Sequence, residues 1–206
     1  MCIPPPVAPG LVSFVGAGPG DPELLTIKGR KAIAEAALVL YTGSLVPAAV
    51  VACASPNAVI QDSAPLTLEQ CHVLMREASL AGKLVARVHT GDPSLYGCLQ
   101  EQTKLLDADG IPWRVIPGVT AACAAAAAAG LSFTIPEAAQ SLIITRMKGE
   151  TPVPDNEKLP ALAAHKTSMA IYLSANRAEE VQKSLLRSLP AETPILCAHR
   201  VGWPDE

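Results

Sequence analysis

Four short runs hold most of the residues in this chain that could do chemistry: "GAGPGDPE" at 16–23, "YTGSLVP" at 41–47, "HTGDPSLYG" at 89–97 and "IPGVTAA" at 116–122. Each follows an apolar run that reads as a strand. Each is built from glycine, proline and small hydroxyl residues, with few charges. Such loops offer backbone N–H and C=O groups rather than an acid–base pair. In an open parallel sheet, ligands bind beyond the carboxyl ends of the strands, so these loops should gather at one rim. That rim suits a neutral or zwitterionic ligand held by backbone hydrogen bonds. Taken singly, each loop reads more readily as a structural turn, in which glycine supplies a positive φ, than as a functional one.

More familiar chemistries fit less well. "VSFVGAGPGDPELLT" approaches the dinucleotide fingerprint G-x-G-x-x-G, but its third glycine would fall at 21, where Asp21 stands. Pro19 sits where the backbone must approach a pyrophosphate, and Asp21 and Glu23 would set negative charge beside it. The second strand ends in "LVLY", without the acid that takes a ribose. A nucleotide-binding oxidoreductase is therefore the weaker alternative. There is no G-x-S-x-G elbow, no Walker A run and no H-E-x-x-H. The cysteines at 2, 53, 71, 98, 123 and 197 show neither C-x-x-C nor zinc-ligand spacing, so no metal site is expected.

Composition narrows the class. Half of the 206 residues are hydrophobic and only 3% aromatic, so alanine and valine fill much of the core and elements can approach closely. The length suits one large domain or two small ones. A net charge of −3 argues against non-specific nucleic-acid binding, which needs a basic surface. The start, "MCIPPPVAPG", lacks the basic and apolar regions of a signal peptide. The longest apolar stretch, "VTAACAAAAAAGL", is too short to span a bilayer. The expectation is a cytoplasmic protein with buried, reduced cysteines and no membrane partner.

The elements that position the four loops alternate between strand and helix. Strands are expected at 11–16, 37–41, 58–62, 84–89 and 113–116, and helices at 26–36, 67–82, 96–110 and 121–129. Thr26 reads as an N-cap, and Thr67 with Gln70 has capping-box spacing. This alternation predicts a mostly parallel sheet with helices on both faces, an α/β fold. After Gly130 the pattern restarts, with strands at 142–146, at "SMAIYLS" and at "PILCAHRV", and helices at "EKLPALAAH" and "RAEEVQKSLLRSL". The expected organisation is a flexible lead-in over 1–10, an N-terminal α/β domain over 11–130 and a C-terminal α/β domain over 131–206.

Together, "GAGPGDPELLT" at 16–26, "GDPSLYG" at 91–97, "IPGVTAA" at 116–122, "IYLSA" and "HRVGWPDE" resemble the tetrapyrrole (corrin/porphyrin) methyltransferases, the S-adenosylmethionine enzymes of cobalamin and sirohaem synthesis. The motifs fall in the family's order across essentially the whole chain. "YTGSLVP" and "GETPVP" (149–154) look like the branch that methylates C11 of precorrin-4 or cobalt-precorrin-4. The uroporphyrinogen branch typically shows a Tyr-Asp-Arg-Leu-Val run where Thr42, Gly43 and Ser44 stand here. The uroporphyrinogen-III, precorrin-2 and precorrin-3 branches remain alternatives. The resemblance implies two α/β domains with a ligand trough between them, a homodimer, and a further C-terminal portion beyond "WPDE".

It also implies site residues. S-adenosylmethionine, or S-adenosylhomocysteine as product, should touch Pro19, Thr90, Gly91, Asp92, Leu95, Thr120, Ala121, Leu173 and Val201, many of them through backbone atoms. Thr120 and Ala121 begin the alanine helix, whose free N–H groups suit the donor's carboxylate. Asp92 reads alternatively as a cap of the helix that follows it. Tyr41, Ser44, His89, Tyr96 and Arg146 are expected on the tetrapyrrole side, with His89 equally readable as a satisfied structural histidine. Tyr172 fits core or site. The substrate is rich in carboxylates, so Arg87, Lys148 and Arg200 join Arg146 as cationic candidates, though each of the four reads more readily as a solvated surface residue. The acceptor carbon of a reduced tetrapyrrole is already nucleophilic. The task is then in-line alignment of carbon, methyl and sulfur, and no protein base is assigned.

Overall fold

A computed structural model describes residues 7–149 and 151–203. Of these, the residues within 1–124 and 200–206 form one compact unit, and those within 125–199 form another. The division falls a few residues before the expected boundary at 130. Residues 200–203, read from sequence as part of the C-terminal domain, belong with the first unit.

The first unit is a five-stranded, all-parallel sheet. Its strands are β1 (Val12–Gly16), β2 (Leu38–Tyr41), β3 (Val59–Asp62), β4 (Val85–His89) and β5 (Trp113–Ile116), in the spatial order β3-β2-β4-β1-β5. β1 and β4 are buried along their whole length, so that even their polar members Ser13, Arg87 and His89 lie inside. The edge strands β3 and β5 are more exposed.

Five helices flank this sheet or follow it: α1 (Ile27–Glu35), α2 (Ala48–Val51), α3 (Leu68–Leu80), α4 (Leu99–Ala108) and α5 (Ala121–Ala128). One apolar layer joins Val15, Val39 and Val88 of the sheet to Ile33 of α1 and Val50 and Val51 of α2. The opposite layer joins Phe14, Leu40 and Val85 to Met75 of α3 and Leu106 of α4. Phe14, Ile33, Leu40, Met75 and Leu106 are fully buried, each contributing about 1.5–3 kcal/mol over the exposed side chain.

The expected caps form. Thr26 Oγ1 accepts from Gly29 N at 3.1 Å, and Thr67 and Gln70 make a reciprocal capping box. Three expectations are corrected and one short element is added. The helix expected from 96 begins at Leu99, because Tyr96 and Cys98 lie in left-handed backbone with φ of 58° and 49°. The glycine-rich loop leads first into a single 3-10 turn, Pro22–Leu24. The lead-in is only partly described, since residues 1–6 lie outside the described residues. Its end is fixed rather than flexible: Gly10 N donates to Ser79 O and Ser79 Oγ donates to Gly10 O, both at 2.7 Å. Of the described cysteines only Cys71 is buried, while Cys98, Cys123 and Cys197 are exposed.

The second unit holds two parallel strands, β6 (Leu142–Arg146) and β7 (Ser168–Tyr172), with helices α6 (Leu159–Ala163) and α7 (Ala178–Leu185). Leu159, Ala163 and Leu185 form its buried cluster, with Met169 and Ile171 packed against it. The strand expected at "PILCAHRV" is not formed. A strand exists by pairing, and the described residues supply no third ladder beside β6 and β7. Ile195 and Leu196 are accordingly exposed.

Candidate functional site

The loops after β1, β4 and β5 are stacked backbone on backbone. Gly18 N donates to Gly91 O at 3.2 Å and Gly91 N donates to Gly18 O at 2.8 Å. A Cβ on Gly118 would lie 2.2 Å from Gly91 O and 2.8 Å from Gly16 Cα, and one on Gly16 would lie 2.5 Å from Gly118 N. No side chain fits between the three loops, so glycine is required at 16 and 118 by close approach. At Gly91 a positive φ of 60° makes the same demand.

A side chain locks the stack. Asp92 Oδ2 accepts from Gly118 N at 3.0 Å and its Oδ1 accepts from Ser94 N at 2.8 Å. Asp92 does not cap α4, whose N-cap position is Cys98. It ties the β4 loop to the β5 loop instead. On the outer side, Trp203 Nε1 donates to Pro19 O at 3.2 Å, and the Arg200 guanidinium lies 4.2 Å above the Trp203 ring.

This stack brings together most of the residues expected at the methyl donor. Pro19 follows the Gly18–Gly91 bridge directly. The Gly91 backbone faces Thr120 Cα and Ala121 N, which would lie 3.7 and 3.8 Å from a Cβ at that glycine. Thr120 and Ala121 open α5, where Ala124 N already reaches back to Thr120 O. Thr90 and Leu95 line a cavity on the β4 loop, and Val201 lies in the segment that closes on Pro19. Leu173 belongs to the second unit. It directly follows β7, is exposed and has a φ of 54°.

The acceptor-side candidates divide. His89 and Tyr96 line that cavity, which measures about 260 Å3 and lies at the carboxyl ends of β2, β3 and β4. The chain leaves β2 away from β4 and leaves β4 in the opposite direction, so the cavity sits at a topological switch point. Tyr41 packs against the apolar layer of α1 and α2. Ser44 is exposed on the β2 loop. That loop is held by Asp62, whose Oδ1 accepts from Gly43 N and from Ala64 N, each at 2.8 Å. These bonds, Ala64 first and then Gly43, hold the Asp62 carboxyl below its ordinary pKa.

Arg146 ends β6 in register with Tyr172. Its guanidinium donates to Met147 O, Thr151 O, Thr151 Oγ1 and Pro152 O, so it closes its own loop. Arg146 and Lys148 also line a second cavity of about 200 Å3, together with Lys158 and Arg187.

Arg87 overturns its reading as a solvated surface residue. It is 9% exposed. Its Nη1 donates to Ser63 Oγ at 2.7 Å and to Leu40 O at 3.5 Å, and its Nε donates to Gln102 Oε1 at 3.1 Å. Gln102 Nε2 in turn donates to Gly97 O and Cys98 O, both at 3.1 Å. Ser63 Oγ donates to Tyr41 O. One buried guanidinium thus holds the loops after β2, β3 and β4. Gln102 and Ser63 escaped the sequence reading altogether. Their one signal, a polar residue inside an apolar helix stripe or at a strand end, is too common to single them out.

The pattern of the Tetrapyrrole (Corrin/Porphyrin) Methylases matches residues 11–206. The chain belongs to that family. Among its relatives, the cobalt-precorrin-4 C(11)-methyltransferase of Priestia megaterium is 44% identical over 94% of this chain and 75% of its own length. The precorrin-4 C(11)-methyltransferase of Pseudomonas aeruginosa is 44% identical over 95% of this chain and 78% of its own. Among solved structures, a cobalt precorrin-4 methyltransferase matches with a TM-score of 0.83 at 43% identity, covering 86% of this chain and 74% of that one. A uroporphyrin-III C-methyltransferase from Thermus thermophilus, complexed with S-adenosylhomocysteine, matches with a TM-score of 0.69 at 31% identity, over 86% of this chain and 76% of that one. The expected tetrapyrrole methylase fold is therefore the fold of this chain.

Proposed function

We propose that this chain is an S-adenosylmethionine-dependent C-methyltransferase of cobalamin biosynthesis that methylates C11 of precorrin-4 or cobalt-precorrin-4. The observation that carries this reading is the stacked rim of Gly18–Pro19, Gly91–Asp92 and Thr120–Ala121, set in a chain 44% identical to relatives named for that reaction. The donor, when bound, supplies an electrophilic methyl group on a sulfonium. The chain's own task is placement. The backbone of Pro19, Gly91, Thr120 and Ala121, with Thr90, Asp92, Leu95 and Val201 around it, offers donors and acceptors but little charge, which fits the zwitterionic amino-acid part of the donor. Leu173 is proposed as a further donor contact. The first N–H groups of α5 suit the donor's carboxylate.

The acceptor is proposed to lie against the β2 and β4 loops, reached by Tyr41, Ser44, His89 and Tyr96, with Arg146 as a cationic contact. The "YTGSLVP" loop favours the C11 branch over the uroporphyrinogen branch, and so does identity. The uroporphyrinogen-III C-methyltransferase of Paracoccus denitrificans is 33% identical to this chain.

We further propose a cytoplasmic homodimer. The free cysteines support a reducing compartment. The edge strand β3 exposes Val59 and Ile60, an apolar edge of the kind that a partner covers. No described helix is long and apolar enough to cross a membrane.

Calorimetry with S-adenosylhomocysteine, followed by labelled-methyl transfer to a panel of precorrins, tests the reading. Saturable binding and transfer to a precorrin-4-type acceptor are expected. Binding of NAD in place of S-adenosylhomocysteine would overturn the donor assignment, and transfer to uroporphyrinogen III alone would overturn the branch.

A further inference from the structure

Arg87 and His89 are two residues apart on β4, so their side chains leave the same face of the sheet. Both line the cavity of about 260 Å3, as do Thr42 of the β2 loop, Ser63 after β3, and Tyr96 and Cys98 before α4. Two features of this cavity are unusual. No carboxylate pairs with the buried guanidinium among the described residues. Among the described residues its hydrogen bonds run from Nε and Nη1, to Gln102, Leu40 and Ser63. Second, His89 is 7% exposed, and its Nε2 is buried without any partner. A buried cation without a counter-charge and a buried ring nitrogen without a hydrogen bond each carry a desolvation cost. The two fall in one cavity, and one anion would relieve both.

We propose that this cavity is a carboxylate subsite, in which one peripheral carboxylate arm of the acceptor lies between Arg87 Nη2 and His89 Nε2–H. The inference rests on the tetrapyrrole reading above. It deepens that reading by naming which part of the acceptor enters the fold and which two side chains take it. The cavity suits a single acetate or propionate arm and not the whole macrocycle. Charge is balanced, because the guanidinium is cationic at all working pH and the imidazole is neutral. Burial, and then the Arg87 charge, push the His89 pKa down to about 3. In the Nε2–H tautomer the ring is a neutral donor beside one fixed positive charge, which matches a single carboxylate. Thr42 on the cavity wall ties this subsite to the β2 loop. An arm seated here would therefore set the position of the ring relative to "YTGSLVP".

The test uses the whole chain labelled with 15N-histidine, whose four histidines give a simple spectrum. His89→Leu assigns the signal. Propionate, methyl propionate, uroporphyrin III and its octamethyl ester are the probes. Propionate and uroporphyrin III should shift the His89 Nε2 resonance, and the two esters should leave it in place. In methyl-transfer assays His89→Leu should raise the acceptor KM about tenfold, with kcat less affected and S-adenosylhomocysteine affinity unchanged. Arg87→Lys, which keeps the charge and loses the fork, should move the acceptor KM in the same direction. Equal shifts with acid and ester, or an unmoved His89 resonance under saturating propionate, would overturn the subsite. A chain that responds to propionate at His89 but neither binds uroporphyrin III nor methylates a precorrin would leave the subsite standing and overturn the acceptor reading.

Discussion

Asp92 Oδ2 accepts a hydrogen bond from Gly118 N at 3.0 Å, across 26 residues of sequence. That one bond joins the loop after β4 to the loop after β5, at the point where Gly91 and Gly118 touch. It also changes what Asp92 is for. An N-cap would stabilise one helix, whereas this carboxylate fixes the spacing of two loops proposed to share the methyl donor.

Asp92→Ala should therefore weaken S-adenosylhomocysteine more than it weakens the fold. A hydrogen bond to a charged group is worth about 1.5–3 kcal/mol, so a loss of about tenfold or more in donor affinity is expected by calorimetry. Asp92→Asn should fall the same way, because its amide must turn an N–H toward either Gly118 N or Ser94 N. A variant that melts lower yet binds the donor normally would make Asp92 a purely structural tie.

The glycine stack makes a prediction about the fold alone. Gly118→Ala sets a Cβ 2.2 Å from Gly91 O, a backbone atom that cannot swing aside. It should cost about 3 kcal/mol or more in chemical denaturation. Gly110→Ala is the control. Its φ is 67°, but nothing lies within 4 Å of the added carbon, so only backbone strain of about 1 kcal/mol is expected. Equal costs at the two positions would mean that the loops do not pack as described.

Gly16, Gly91 and Gly118 mark the limit of what a local sequence pattern encodes. Alternation of strand and helix, Thr26, and the Thr67–Gln70 box placed the first sheet and its helices closely, because those signals are local. The four loops were correctly placed at one rim by the topology of a parallel sheet. The glycines, however, read as donors for a ligand or as turns. That Gly16, Gly91 and Gly118 press on one another depends on the packing of strands 100 residues apart, which no local pattern encodes. Arg87 was illegible for the same reason. An arginine in "LVARVH" reads as the exposed face of a strand, and only Ser63 and Gln102, from two other elements, make its burial possible. The "PILCAHRV" run failed in the opposite sense. Its composition favours a strand, but a strand also needs a neighbour.

His89 should make the protein acid-sensitive in a defined window. Its folded pKa, about 3, lies below the ordinary histidine value of 6.5. As pH falls below 6.5 the unfolded chain takes up a proton that the folded chain refuses, so stability falls with pH from there toward 3. Between pH 6.5 and about 5 carboxylates titrate little, so this slope should be readable as a drop in Tm. His89→Leu should flatten it. A wild-type Tm that stays level across that interval would show that His89 is hydrated or paired.

The "YTGSLVP" loop gives the sharpest division between donor and acceptor. Gly43 N and Ala64 N share Asp62 Oδ1, and a Cβ on Gly43 would lie 2.6 Å from Asp62 Oδ2. The loop is therefore held to β3 by a carboxylate whose folded pKa is depressed. That tether is present above the unfolded carboxyl pKa and is lost as pH falls through the folded one. Asp62→Ala should release the loop at neutral pH and slow methyl transfer to a precorrin-4-type acceptor. Ser44→Arg should act on the same step, since Ser44 is exposed on the loop and a bulky cation there displaces the acceptor. A small displacement from in-line geometry costs about a hundredfold in rate. Neither change should alter S-adenosylhomocysteine affinity, because the proposed donor contacts lie on the β1, β4 and β5 loops and on Leu173 and Val201. Labelled-methyl transfer and donor calorimetry on the same variants separate the outcomes. Full transfer in both variants would remove the loop from the acceptor site, and lost donor binding would move it to the donor.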